Sequence, residues 1–321
     1  MHSEKSKEIV VQSNRLLEAH YRLTLQEKRL ILWLIKEIKS DDTDFKKYML
    51  KIADFAEMVG LHPKTQYKEM KKVTRALIGR VIEIENPETN ATTQMAWLCF
   101  AHWEPNKGVC YLEFHPALKP YLLQLNAQFT KICFADLLGL KSVYAVRLFE
   151  LLIQYESIGK RETSITELRA WFGIYPEEYR LYGHLKVKVI DYATKEINLK
   201  TDYEINYREI KESRKIIAIE WTIKKKTHFE KSQIEKAIII QKELRSEKAI
   251  IQQLLEYGFT DSQSKKIVKL NNQEIVANAI KAVDIQVSKG KVKNAKAMLA
   301  KAIQEKWHPE KYQNRTLKIA C

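Results

Sequence analysis

Basic side chains recur at helical spacing in one stretch of the chain, and their chemistry suits contact with a phosphate backbone. At about 100° per residue, a predicted helix over 64–78 places Met70, Val73 and Leu77 on one side. One acid, Glu69, interrupts the opposite face, whereas a solvated helix face, the alternative interpretation, more often interleaves the two signs. The candidate DNA contacts in this stretch are Lys64, Lys68, Lys71, Lys72 and Arg75.

A second stretch, predicted to be helical over 184–199, suits contact with base edges. An acid accepts a hydrogen bond from cytosine N4, and an apolar side chain meets a thymine methyl group. For Asp191, an ion pair with Lys188 or Lys195 on a solvated face is the alternative. The residues predicted to face inward are Leu185, Val189, Ile190, Ala193 and Ile197. The candidate contacts, outward or at the flank, are His184, Lys186, Val187, Lys188, Asp191 and Lys195.

Two predicted hairpin loops add further cations. The first loop, 104–108, carries Lys107, and the second, 211–215, carries Lys211, Arg214 and Lys215. Cations at hairpin tips suit phosphate contacts, which position a protein on DNA without reading its sequence.

Residues that could support catalysis or hold a metal ion do not form a consistent pattern. Cys99, His102, Cys110 and His115 are of the types that bind zinc, but a strand over 94–103 would point Cys99 and His102 to opposite faces. No His-x-His pair, which a metal-dependent DNA-nicking enzyme would need, occurs in the sequence. The nine glycines are at least ten residues apart, which excludes a Walker A loop and a GxGxxG loop. The sequence predicts no enzyme activity, no metal and no cofactor.

The elements that would position the basic faces appear in an internal repeat. Residues 52–61 align without gaps on residues 165–174, an offset of 113, with Asp54 matching Glu167 and Gly60 matching Gly173. In both copies the apolar spacing predicts a short helix that ends at the glycine in a left-handed cap. Another predicted helix follows each glycine, which is typical of a helix-turn-helix.

The segments that flank each copy repeat as well. A long apolar helix precedes each copy, over 24–39 with a capping box at Thr24 and Glu27, and over 142–155. A second capping box, Ser164 with Glu167, opens the short helix of the second copy. Strands are predicted after each copy, over 81–85, 94–103 and 109–115 in the first, and over 203–210 and 216–223 in the second. Three helices followed by a β-hairpin describe a winged helix.

The predicted fold class is therefore α+β, with two tandem winged-helix domains as a pseudo-repeat and a small all-α C-terminal module. The boundaries we predict are an N-terminal arm over 1–22, a first winged-helix domain over 23–135, a second over 136–228, and a basic helical module over 229–321. The module contains helices predicted over 234–255, from 260 onward, over 276–287 and over 294–307.

The charge balance points to a polyanionic partner. The chain carries 55 Lys and Arg against 40 Asp and Glu, a net charge of +15, of which +8 lies in residues 230–321. Nucleic acid and an anionic membrane surface are the candidates, and solubility alone is the alternative. The N-terminus has no apolar signal segment, and the most hydrophobic run, 30–35, is far shorter than a membrane helix. With four cysteines and no CxxC, we expect a cytoplasmic protein with reduced thiols and no membrane contact.

Several segments, in order over about residues 10–226, resemble the iteron-binding replication initiator (Rep) proteins of bacterial plasmids. They are residues 23–33, 114–122 with Phe129-Thr130, 144–154, and 185–198 with Thr201-Asp202. The resemblance implies a first domain that forms a dimer interface and contacts the DNA backbone, and a second domain that makes most major-groove contacts through His184, Lys186, Lys188 and Lys195. Two departures are Val187, where the family commonly has a basic residue, and Tyr192, where it commonly has proline.

The resemblance also implies a mechanism. Monomers would bind direct repeats (iterons) at the plasmid origin and help to open the duplex, while homodimers in equilibrium with them would bind an inverted repeat and repress the gene. A host initiator ATPase and a replicative helicase would be further partners. The alternatives are a winged-helix transcriptional repressor without a role in replication and a nicking initiator enzyme.

The C-terminal segment resembles a small helical module found in some initiators and primosome proteins. Its implied role is contact with protein or single-stranded DNA while the replication machinery is loaded, and a solvated basic appendage is the alternative.

Overall fold

We describe a computed structural model of the chain over residues 8–86, 88–227, 246–290, 292 and 294–310. The chain divides into two compact units, one extending to Thr227 and the other beginning at His228. Among the described helices, none combines the length and the apolar character that crossing a membrane requires.

The first half of the larger unit begins with a strand and a short helix that precede the first long helix. That long helix starts at a capping box, in which Thr24 Oγ1 accepts from Glu27 N and Glu27 Oε2 accepts from Thr24 N, as the sequence predicts. The elements in chain order are β1 (Ile9–Ser13), α1 (Asn14–Leu17), α2 (Leu25–Lys36), β2 (Tyr48–Lys51), α3 (Ile52–Val59), α4 (Gln66–Gly79), β3 (Val81–Glu85), β4 (Thr92–Ala96), β5 (Leu98–Glu104), β6 (Val109–Phe114), α5 (Lys119–Leu122), β7 (Phe129–Cys133) and α6 (Phe134–Gly139).

The prediction of one continuous strand over 94–103 is wrong. The chain leaves β4, which pairs with β3, and enters β5, which pairs with β6 in a different sheet. Trp97 and Leu98 are both completely buried, and consecutive residues of a strand cannot point to the same face. The chain changes sheets at this point, so that both side chains reach the core.

The second half of the larger unit repeats the first without the extra β3–β4 hairpin. Its short helix opens with the predicted capping box of Ser164 and Glu167. The elements are α7 (Val143–Ile153), β8 (Lys160–Ser164), α8 (Ile165–Trp171), α9 (Tyr182–Leu185), a π-helical turn (Lys186–Ile190), α10 (Asp191–Lys200), β9 (Tyr203–Glu212) and β10 (Lys215–Lys225).

Sheet topology supports the repeat. The antiparallel strand order is β2-β6-β5 in the first half and β8-β10-β9 in the second, so the last strand lies in the centre each time. In each half the edge strand leads directly into the short helix of the helix-turn-helix. The chain therefore contains two winged-helix domains in tandem, and one hydrophobic core continues through both.

The segment that the sequence assigns to an N-terminal arm contributes to this unit from residue 9 onward. Strand β1 pairs antiparallel with β7, and His20 bridges to Glu83 of β3. Leu16 and Leu17 are almost completely buried, and each contributes about 1.5–3 kcal/mol when it leaves water.

The described residues of the smaller unit are helical. They form α11 (246–256), α12 (Asp261–Leu270), α13 (Gln273–Ser288) and α14 (Ala295–Gln304) around a core that includes Leu254, Val276, Ile280 and Leu299. The predicted helix over 234–255 lies outside the described residues as far as residue 245.

Candidate nucleic-acid interface

The first helix-turn-helix consists of α3, a turn and α4. Gly60 ends α3 with φ of 73°, in the left-handed region that the sequence predicts for it. Helix α4 follows after residue 65 and buries Met70, Val73 and Leu77 against the core. The predicted helix over 64–78 is thus realised over nearly the same residues, with the predicted apolar side inward.

The opposite side of α4 is exposed and mostly cationic. Lys64, which lies in the turn, and Lys68, Lys71, Lys72 and Arg75 on the helix are all exposed. Lys72 pairs with Glu69 at 3.3 Å, and Lys71 Nζ lies 5.9 Å from the ring centroid of Trp103 on β5. Four of these five cations therefore have no acidic partner among the described residues, an arrangement that suits phosphate contact.

The first wing ends in a tight turn next to α4. Pro105–Lys107 forms a single 3₁₀ turn, and Gly108 closes it with φ of 68°. A Cβ atom on Gly108 would lie 3.3 Å from the hydroxyl oxygen of Tyr67 on α4. The wing therefore approaches α4, which we call the first recognition helix, closely. Lys107 at this tip is exposed and pairs with Glu104 at 2.5 Å, and the hydrogen bond with Glu104 raises the pKa of Lys107.

The second helix-turn-helix has a turn held by two arginines. The Arg169 guanidinium donates to the carbonyl oxygens of Tyr175, Glu178 and Tyr179. Arg22, which precedes α2, makes a bidentate ion pair with Glu178, with N–O distances of 2.9 and 3.0 Å. These bonds fix the turn that leads into the second recognition helix.

The second recognition helix runs continuously over 182–200 and contains one π-helical turn, Lys186–Ile190. All five residues predicted to face inward, Leu185, Val189, Ile190, Ala193 and Ile197, are buried. A π-turn accommodates one extra residue and often occurs at functional sites. The outward residues His184, Val187, Lys188 and Lys195 are exposed, Val187 to 64%.

Two residues of this helix that are predicted to contact DNA, Lys186 and Asp191, bind side chains of the second wing. Lys186 Nζ lies 2.7 Å from Glu209 Oε1 on β9, and the hydroxyl of Tyr182 donates to the same oxygen at 3.0 Å. The carboxylate of Asp191 accepts a hydrogen bond from the hydroxyl of Tyr207, also on β9. Burial and this hydrogen bond to Asp191 raise the pKa of Tyr207.

The sequence suggested two roles for Asp191, a base contact or an ion pair with Lys188 or Lys195. In the structure Asp191 instead accepts a hydrogen bond from Tyr207 of the wing. Tyr182, Tyr207 and Glu209 are thus residues of the interface that sequence reasoning missed. Their partners are 16 to 27 residues away, and only the packing of β9 against the helix brings them together.

The tip of the second wing is cationic. Strands β9 and β10 are joined through Ser213, with φ of 52°, and Arg214. Lys211, Arg214 and Lys215 are all exposed there. Tyr192, on the second recognition helix, is 55% exposed.

The four possible zinc ligands in the first wing are not brought together. The Cys99 thiol contacts the carbonyl oxygens of Glu113 and Phe114, and His115 Nδ1 accepts from Ala117 N. The ring centroid of His102 lies 6.2 Å from that of Phe100 and 6.4 Å from that of Tyr111. Cys110 is buried, which raises the pKa of its thiol to about 12. Among the residues that the structure describes, no group of three or more His, Cys, Asp and Glu is placed to hold a metal ion.

The sequence of this chain is similar to those of known proteins. A family model described as "Initiator Replication protein, WH1" matches residues 9–153, and one described as "Initiator Rep protein, WH2" matches residues 164–223. An uncharacterized 27.6 kDa protein of Escherichia coli is 29% identical over 212 residues, which are 62% of this chain and 88% of that protein. A replication initiation protein of Escherichia coli is 26% identical over 150 residues, 46% of each chain.

A solved structure shares the fold. The crystal structure of Pi initiator protein in complex with iteron DNA superimposes with a TM-score of 0.56 at 19% sequence identity. The match covers 68% of this chain and 98% of the other.

Proposed function

We propose that this chain, which belongs to the initiator replication protein family, starts replication of a plasmid by binding repeated DNA sites at the origin. The observation that carries the proposal is the pair of helix-turn-helix units in one compact body, each with its apolar side buried and its cationic side exposed. Neutralising phosphates with such cations releases counterions and drives association with DNA.

The two domains have different roles in this proposal. The first recognition helix binds phosphates through Lys64, Lys68, Lys71, Lys72 and Arg75 and makes the smaller share of the major-groove contacts, and its domain also forms a dimer interface. The second recognition helix enters the major groove, where Val187 and Lys188 contact base edges. Supporting phosphate contacts come from the two wing tips, through Lys107, Lys211, Arg214 and Lys215.

Lys186 and Asp191 have a second role in this proposal. Lys186 and Asp191 each have a partner on β9, so we propose that they orient the helix against the wing and reach DNA only in addition to that role. His184 and Lys195 flank Lys188 on the exposed side and are proposed as its neighbours in the groove.

The wider mechanism extends the same proposal. Monomers bind direct repeats and help to open the duplex, and dimers bind an inverted repeat and repress the gene. The crystal structure of Pi initiator protein in complex with iteron DNA, which shares the fold, supports the binding of direct repeats. A host initiator ATPase and a host helicase supply the chemistry of unwinding, and the smaller unit assists in recruiting them.

One footprint tests the proposal. Purified protein is incubated with the DNA upstream of its own gene, and protected segments are mapped. Protected direct repeats spaced by about two helical turns support an initiator, whereas a lone protected inverted repeat would favour a plain repressor. The same protein with supercoiled DNA and Mg²⁺ tests the nicking alternative, because a site-specific nick would contradict the proposed mechanism.

A further inference from the structure

A fully buried ion pair joins the two winged-helix domains. Lys28 on α2 of the first domain and Glu150 on α7 of the second lie 2.8 Å apart, Nζ to Oε1, and both side chains are 0% exposed. No step of DNA binding proposed above uses either residue.

Further polar groups surround this pair, and Glu150 Oε2, which accepts no hydrogen bond from the described residues, lies 3.6 Å from Arg147 Nη1. The hydroxyl oxygen of Tyr21 accepts from Lys28 Nζ at 2.9 Å and from Arg147 at 2.5 Å. Gln12 Nε2 donates to Glu150 Oε1 at 3.2 Å. Arg147 also donates to the carbonyl oxygens of Leu17 and Ala19, both at 3.0 Å, and thereby ties α7 to the segment before α2.

The energetics of such a pair point to a role in geometry. Removing two charges from water costs most of what their attraction returns, so an apolar pair of similar volume is often as stable. An apolar pair, however, tolerates sliding and rotation, whereas the ion pair and its hydrogen bonds depend on specific distances and angles between their atoms. The network therefore specifies how α2 and α7 lie against each other.

Each of these two helices carries one recognition helix. Helix α4 packs against α2, and Arg80, the residue that ends α4, contacts Glu27 of α2 at 3.4 Å. Helix α10 packs against α7, and Glu196 of α10 accepts from the backbone N–H groups of Lys141 and Ser142 at the start of α7, at 2.8 and 3.0 Å. A continuous set of contacts thus runs from one recognition helix through Lys28 and Glu150 to the other.

From this connection we infer that Lys28, Glu150, Tyr21 and Arg147 are positioning residues that set the spacing at which the two recognition helices read DNA. The inference rests on the proposed function, because it assumes that both helices contact one duplex. One inserted base pair shifts one half of a site by about 3.4 Å and rotates it by about 35°, which a rigid connection cannot follow.

The test is in vitro selection followed by measurement of affinity. Wild-type protein and the double variant K28M/E150L each select from duplexes with a randomised region of about 40 base pairs, long enough for two helical turns and their flanks. A matched control, K46M/D42L, replaces an exposed ion pair of 3.1 Å within the first domain. The dissociation constant is then measured for the selected site and for the same site with one base pair inserted between its two halves.

The expected result is a change in spacing preference. Wild-type protein and the control enrich two sequence blocks at a single spacing and lose about tenfold in affinity or more on the inserted site. The double variant enriches the same blocks at several spacings and loses less than about threefold on that site. If the double variant keeps the single spacing and the full penalty, the inference is overturned while the proposed function stands.

Two further outcomes are decisive. If wild-type protein enriches no two-block site, the proposed function fails and the inference fails with it. If K28M/E150L does not fold, as judged by its thermal unfolding, Tyr21→Phe decides. It removes the shared hydroxyl and keeps the ion pair, and a penalty for the inserted base pair equal to that of wild type would overturn the inference.

Discussion

Lys186 Nζ lies 2.7 Å from Glu209 Oε1, so an acid of the second wing holds a cation of the second recognition helix. Their hydrogen bond raises the pKa of Lys186 and lowers the pKa of Glu209. Two residues earlier on β9, Tyr207 bonds Asp191 of the same helix. The wing therefore fixes the helix at two points and compensates one of its positive charges.

Glu209→Gln should strengthen binding to DNA and increase its dependence on salt. Without the carboxylate, Lys186 becomes available to a phosphate, and the slope of log K against log salt concentration should steepen by about one. The measurement is a titration of one duplex at several salt concentrations. Glu212→Gln is the matched control, since Glu212 is exposed on the same strand and has no ion pair among the described residues. Equal slopes for the two variants would contradict the prediction.

Lys188→Ala should weaken specific binding by about 1–3 kcal/mol, because Lys188 is exposed on the side of the helix proposed to meet base edges. The dissociation constant is measured for the footprinted site and for random duplex DNA. We expect a smaller loss on random DNA. An equal loss on both would identify Lys188 as a phosphate contact and not a base contact.

Lys71→Ala and Arg75→Ala should each reduce the salt slope by about one, because each removes one cation from the exposed side of α4. Lys72→Ala is the internal control, and we expect a smaller change from it because Glu69 already lies 3.3 Å from its ammonium group. A slope unchanged by both Lys71→Ala and Arg75→Ala would mean that this side of α4 does not contact DNA.

Local sequence signals predicted much of the framework. The capping boxes at Thr24 and Ser164 predicted where two helices begin, since each needs only residues three positions apart. Gly60 and Gly173 both have positive φ, at 73° and 61°, as the repeat of two helix-turn-helix units requires. The inward residues of both recognition helices were also predicted correctly, because helical periodicity alone determines them.

Features that depend on distant residues could not be predicted in this way. The break at Trp97 arises because two neighbouring side chains must reach one core, and the π-turn at Lys186–Ile190 is a local change of helical pitch that a fixed 100° wheel does not contain. The partners of Lys186 and Asp191 come from β9, so a wheel drawn for the helix alone shows both as available to DNA. Which exposed residues contact DNA stays a prediction.

Stability at low pH should depend on Glu178. The hydrogen bond from Arg22 is the largest of the effects that hold the pKa of this carboxyl below its ordinary value of 4.5. Because the folded-state pKa is lowered, the stabilisation is present above that ordinary value and is lost as the pH falls through the lowered one.

Glu178→Gln should therefore be less stable than wild type near neutral pH, and the difference should shrink as the pH falls below about 4.5. Thermal unfolding of both proteins at several pH values measures it. Glu177→Gln is the control, since this neighbouring carboxylate is exposed and has no ion pair within the described chain. A difference between Glu178→Gln and wild type that does not vary with pH would contradict the prediction.

Gly173→Ala should destabilise the larger unit far more than Gly60→Ala, although the two glycines occupy equivalent positions in the repeat. Both have positive φ, which costs an alanine about 1–2 kcal/mol. A Cβ atom on Gly60 would meet nothing within 4 Å, whereas one on Gly173 would lie 2.8 Å from Arg22 Cβ and 2.9 Å from the carbonyl oxygen of Tyr21. Moving that backbone adds about 1–3 kcal/mol and separates Arg22 from Glu178.

Urea unfolding followed by tryptophan fluorescence compares the variants, because Trp97, Trp171 and Trp221 are buried in this unit. Equal losses for Gly60→Ala and Gly173→Ala would mean that the second turn does not press on the segment before α2 as tightly as these distances indicate.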